Sequence, residues 1–107
     1  KHKTGFVWGQ AINHNNFSSY VGFCFKSSEG QKDKIKINFY NETGKIKTLT
    51  KSLGPKKSFI VEISKLFKNS KKLEFYWYTA SSKRHDLSAY SVHINEKTGN
   101  ASGEHNF

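Results

Sequence analysis

Lys34, Ile35, Lys36, Ile37, Asn38 and Phe39 alternate polar and apolar side chains without a break, and that period of two decides the fold. Residues i, i+2 and i+4 line one face of an extended strand, so Ile35, Ile37 and Phe39 face one way and the lysines the other. The same alternation recurs in Val21, Phe23 and Phe25, in Phe59, Val61 and Ile63, and in Leu73, Phe75 and Trp77. Each segment offers an apolar face to a shared core. The twelve side chains just named are therefore the predicted inner layer. Weaker strands fit residues 5–12, 45–51, 86–94 and 100–107.

The punctuation between these runs agrees. Asn41, Glu42, Thr43 and Gly44, like Glu96, Lys97, Thr98 and Gly99, put a glycine where a type I turn needs a left-handed residue before the next strand. Gly30 and the Gly54–Pro55 pair mark two more reversals. Turn signals roughly every ten residues are the spacing of a sandwich or barrel. One helical turn fits near 64–69, where Ile63, Leu66 and Phe67 fall at i, i+3 and i+4 behind Ser64. The reading is an all-β protein: an antiparallel β-sandwich of about seven or eight strands, immunoglobulin-like or jelly-roll-like, with 1–107 as a single domain.

Composition removes several classes. The chain has 107 residues, 18 Lys+Arg against 8 Asp+Glu, and a net charge of +10. It is too short for a two-domain enzyme but long enough to bury a core. No apolar run reaches the ~18 residues of a membrane span. The opening residues 1–5 carry no apolar h-region, and the absence of Met suggests a processed protein or an excised domain. Sixteen aromatic residues (nine Phe, five Tyr, two Trp) argue against disorder. A lone cysteine, Cys24, excludes an internal disulfide and a multi-thiolate zinc site; among aromatics, it reads as a small buried hydrophobe. The single early cysteine and the lack of Met also do not fit a copper-binding sandwich, and antibody-type immunoglobulin domains need two cysteines.

Three constellations remain as candidates for chemistry. The first is aromatic. If Trp77 joins Leu73 and Phe75 in the core, Tyr76 and Tyr78 face outward with Glu74. Exposed rings beside polar side chains hold sugar rings by stacking on their C–H faces while the polar groups bond hydroxyls. With the polar loop that follows, this makes Tyr76, Tyr78, Arg84, His85, Asp86 and Tyr90 the candidate ligand-binding residues. The second is basic. Thirteen lysines lie between Lys26 and Lys72, and Lys34, Lys36, Lys45 and Lys47 fall at solvent-facing positions. A positive sheet attracts phosphate or sulfated polymers. Seventeen lysines to one arginine is a weak nucleic-acid signal, because Arg is the stacking and bidentate cation.

The third is histidine. His85 and His93 lie too far apart along one strand to share a ligand, but a terminal hairpin could bring His93 to His105 and Glu104. No tight metal-ligand spacing supports this, so neither metal nor cofactor is expected. Arg84, His85, Asp86, Leu87 and Ser88 hold His, Asp and Ser close together, but triads are assembled in space and need an oxyanion hole. There is no nucleophile elbow and no phosphate-cradling loop. Of the sequons at Asn16, Asn41 and Asn100, about one or two are what the abundance of Asn, Ser and Thr produces by chance, and they matter only in a host that glycosylates exported proteins. The expectation is a non-catalytic binding or accessory module of an exported or surface protein, contacting a polysaccharide or an anionic polymer. The alternatives are an immunoglobulin-like protein-interaction domain without a small ligand, and a lysine-rich nucleic-acid-binding domain.

Overall fold

In the computed structural model eight strands pack as two antiparallel sheets, and residues 4–14, 16–67, 73–95, 97–99 and 101–106 are described, the last by backbone alone. The strands are β1 (Gly5–Asn13), β2 (Phe17–Phe25), β3 (Asp33–Asn41), β4 (Gly44–Leu53), β5 (Ser58–Glu62), β6 (Glu74–Ser82), β7 (Leu87–Asn95) and β8 (Ala101–Asn106). The first sheet runs β1-β6-β3-β4 and the second β5-β2-β7-β8. All four strong strands and all four weak ones are present. A single helical turn, α1 (Ile63–Leu66), follows β5. The all-β sandwich expectation is met.

The turns obey the chemistry that places glycine in them. Gly44 and Gly99 have φ of 118° and 74°, a region that L side chains rarely occupy. The Asn41 carboxamide oxygen accepts the Thr43 N–H at 2.8 Å, closing the turn between β3 and β4. The alternation of β3 holds through its length: Ile35, Ile37 and Phe39 are buried, while Lys34 and Lys36 are exposed.

Val21, Phe23, Phe25, Val61 and Ile63 are also buried as expected, and Phe59 is half-buried against the core. The reading of β6 is inverted. Tyr76 (7% exposed) and Tyr78 (0%) point inward; Phe75 (59%), Trp77 (43%) and Leu73 point to solvent. The cause is the ring cluster at the centre. Tyr78 meets Phe23 edge to face, centroids 5.6 Å apart at 83°, and leans on Phe39 at 6.1 Å. Tyr76 stacks flat on Phe67 at 4.4 Å. Such pairs add about 0.5–1.5 kcal/mol each beyond the area they bury. Each buried hydroxyl also has a partner, since Tyr76 Oη donates to Glu74 Oε1 at 3.0 Å and Tyr78 Oη lies 3.5 Å from Ser91 Oγ. The larger tyrosine rings fit because β1 and β7 supply Ala11 and Ala89 at the inward positions.

Cys24 departs from expectation as well. It is half-buried and pairs in register with Ser58 and Ser88 on the outward side of the second sheet, since Phe23 and Phe25 take the inward positions.

The inverted register gives a direct test. Truncating Tyr78 or Phe23 to Ala should cost roughly 3–5 kcal/mol, whereas Phe75→Ala and Trp77→Ala should each cost under about 1 kcal/mol. Urea melts of the four variants check this, and a larger loss at Phe75 than at Tyr78 would put β6 back in the register expected from sequence.

Candidate functional site

Of the six residues singled out from sequence, the structure brings only the loop residues together. Tyr76 and Tyr78 belong to the core. Tyr90 lies on the outer side of the second sheet, its ring laid over Gly22 so closely that a Cβ there would collide with Tyr90 Cζ. His85 is exposed on the connection between β6 and β7. The six do not form one platform.

Arg84 and Asp86 are held by each other. Arg84 Nε and Nη2 donate to the two Asp86 carboxylate oxygens at 2.9 and 2.7 Å, a bidentate pair. Arg84 Nη1 also donates to the Gln31 carbonyl at 2.9 Å, and the guanidinium sits 4.3 Å over the Phe25 ring. Asp86 accepts the Ser27 N–H at 3.0 Å. These bonds pin the β2–β3 connection to the β6–β7 connection. Hydrogen bonding to Arg84 holds the Asp86 carboxyl down at about 2, and the same bonds raise Arg84 above its ordinary value. Three of the five N–H groups of the only arginine, and one face of its guanidinium, are thereby used inside the fold.

The histidines do not gather. The β7–β8 register sets His93 opposite Ser102 and His105 opposite Tyr90, so His93 and His105 are not ladder partners; the side chains of Glu104 and His105 lie outside the described residues. Among the described residues no three metal-binding side chains converge. His93 Nδ1 does lie 2.8 Å from Ser19 Oγ, the spacing of a base and a nucleophile. Yet Ser19 is buried and its oxygen accepts the Ile12 N–H at 3.4 Å. That contact fastens β1, β2 and β7 together, with no access for a substrate.

What the inverted β6 creates instead is an open face on the first sheet. Cross-strand pairing sets its outward side chains in rows. One row reads Phe6, Ser81, Lys36, Thr50; the next Trp8, Thr79, Asn38, Thr48; the third Gln10, Trp77, Tyr40, Lys45. Ile12 and Phe75 close the end. Trp8 and Phe6 are 60% and 58% exposed, so with Phe75 and Trp77 four large apolar side chains stand in water on adjacent strands. Tyr40 lies nearly parallel to Trp77, 6.2 Å away at 6°. Asn38 Oδ1 accepts the Thr48 hydroxyl at 2.7 Å, leaving its amide N–H groups for another partner. Beside Phe75 and Trp77 a recess of about 380 Å³ takes in Asn41, Glu42 and Glu74.

No protein-family model matches the chain, and no curated protein does. The fold itself has a counterpart. The crystal structure of Thermotoga maritima 1070 superposes with a TM-score of 0.65 over 97% of this chain and 90% of that one. Sequence identity is 16%, so the likeness establishes the shared architecture and leaves the chemistry to the residues above.

Sequence reasoning missed Phe6, Trp8, Phe75 and Trp77 as an exposed set, with the half-buried Tyr40 beside Trp77. A signal was present: on β1, Val7, Gly9 and Ala11 alternate with Phe6, Trp8 and Gln10, so one face of that strand is small and the other large. The small face is the one that can admit tyrosine rings from β6.

The Arg84–Asp86 clamp yields a pH prediction. Its folded carboxyl titrates below the unfolded value of 3.8, so its stabilisation is complete above pH 4 and drains away as pH falls through about 2. Asp86→Asn should therefore melt below wild type at pH 6, with the gap closing between pH 4 and 2. Thermal melts across that range check it; a gap independent of pH would mean that the carboxylate charge does not matter.

Proposed function

We propose that the protein is a non-catalytic carbohydrate-binding module whose ligand lies across the outer face of the first sheet. The observation that carries this is the set of solvent-exposed rings, Phe6, Trp8, Phe75 and Trp77, interleaved with hydroxyl and amide side chains on one flat surface. A monomeric domain seldom leaves so many aromatic rings in water without a partner for them. A pyranose ring has C–H faces that displace water from an aromatic surface, and a rim of hydroxyls that must keep its hydrogen bonds. Trp8 and Trp77 supply the first; Asn38, Thr79, Gln10 and Thr48 supply the second. A surface built to bind plain apolar protein would not set hydroxyl and amide side chains beside its rings as the rows of Phe6 and Trp8 do.

An open face also fits a polymer better than a monosaccharide. A small sugar needs enclosure to recover the cost of its immobilisation, whereas a long chain spreads that cost over several stacked rings. The second reading, a protein-interaction domain without a small ligand, is favoured by Phe6 and Phe75, which have no polar atom of their own. The two readings differ in what the amide and hydroxyl groups contribute.

Binding to a panel of immobilised polysaccharides, followed by calorimetry on oligosaccharides of any positive, tests the proposal. Trp8→Ala and Trp77→Ala should each weaken binding about tenfold or more, as central anchors do, and Asn38→Ala should weaken it by a smaller factor. Tyr90→Ala, on the other sheet, should leave it unchanged. No binding across the panel would favour the protein-interaction reading.

A further inference from the structure

The outer face is electrically lopsided. At the end where β3 begins and β6 finishes, Lys32, Lys34, Lys36 and Lys83 surround a concavity of about 770 Å³ together with Thr4, Ser52 and Ser81. Lys34 and Lys36 are on the outward side because Ile35 and Ile37 are buried, and Lys36 pairs in register with Ser81 in the same row as Phe6. One carboxylate is present, Asp33, and its Oδ2 accepts the Lys83 backbone N–H at 2.7 Å. No ion pair among the described residues involves these four lysines. At the opposite end Glu42 and Glu74 flank Phe75 and Trp77.

Resting on the carbohydrate reading, we infer that the ligand is an acidic polysaccharide, its uronate or sulfate groups seated among Lys32, Lys34, Lys36 and Lys83 while neutral ring faces stack on Trp8 and Trp77. Four ammonium groups around one hollow repel each other and raise the local potential, a cost that an anion there reverses. The hollow is continuous with the aromatic rows, so one chain can engage both. Nucleic acid has a similar mixture of stacking surface and charge, but one observation counts against it. The only guanidinium, Arg84, has its Nε–Nη2 fork on Asp86, a third N–H on the Gln31 carbonyl and one face on the Phe25 ring, so the fork that would grip a phosphate is already occupied.

The test compares an alginate oligosaccharide, a heparin oligosaccharide, the carboxyl-reduced alginate oligosaccharide and oligo(dT) at 50 and 200 mM salt, using wild type and two variants. The variants are Lys34→Gln/Lys36→Gln/Lys83→Gln and Trp77→Ala, each checked by its melting curve. Expected is binding to at least one acidic glycan that falls roughly tenfold between the two salt concentrations, as release of about two counterions implies over a fourfold rise in salt. The lysine variant should lose that salt dependence and bind acidic and reduced alginate alike, whereas Trp77→Ala should weaken both with the slope intact. Equal, salt-independent binding of the acidic and reduced forms by wild type would overturn the inference and leave the carbohydrate reading standing. Tighter binding of oligo(dT) than of any glycan would overturn it in favour of nucleic acid. Failure to bind any of the four would overturn the inference, while the polysaccharide panel decides the carbohydrate reading separately.

Discussion

Tyr78 fixes the structure's orientation. It is wholly buried between the sheets, edge to face with Phe23 from the second sheet and tilted against Phe39 from its own. Side chains alternate strictly along a strand, so seating this one ring inside commits every neighbour on β6. Tyr76 and Ala80 must follow it in, and Phe75, Trp77 and Thr79 must go out. A slip of one residue would put Trp77 at the centre and leave Ser91, which now meets the tyrosine hydroxyl, with no phenol to face. The exposed aromatic face is thus the other side of the same choice that completes the core.

This coupling explains why so apolar a surface is tolerated on β6. Ordinarily the solvent side of an antiparallel sheet is polar. Here β6 carries aromatic side chains at both parities, and whichever set packs inside, the other is left in water. The tyrosines are the set with hydroxyls, and a buried hydroxyl needs a partner; Glu74 and Ser91 supply them. Phe75 and Trp77 on the outside therefore require some reason other than packing, since polar residues at those positions would serve the fold better.

Much of the architecture could be read from the chain because turn glycines and strand periods act locally. Gly44 and Gly99 have the positive φ expected of them, the four alternating segments all form strands, and the four weaker segments do too. The face of β6 could not be read the same way. Leu73, Phe75 and Trp77 are more apolar than Tyr76 and Tyr78, and hydropathy alone sends the former inside. The choice depends on what stands opposite: Ala11 on β1, Ala89 on β7 and the rings of Phe23 and Phe39, which are distant in sequence. The candidate site inherited that error. The polar loop was misread for a related reason, because Arg84 and Asp86 look available in sequence and are consumed by contacts to Gln31, Ser27 and Phe25 more than fifty residues away.

The lysines separate into two groups once the strand order is known. β4 is an edge strand, paired only with β3, and a bare edge invites other strands to add to it. Lys45, Lys47 and Lys51 on β4 discourage that addition, and Lys51 also places its ammonium 5.4 Å over the half-buried Phe59 ring. Their presence needs no ligand. Lys34 and Lys36 are different, because β3 is an interior strand with β6 on one side and β4 on the other. At Lys36 it is paired on both sides, so edge protection gives no reason for charge there. Solubility gives only a weak one in a chain already at +10. The two lysines stand toward one end of the outer face, one row and two rows from the exposed Trp8, where a partner that lies across the rings would meet them.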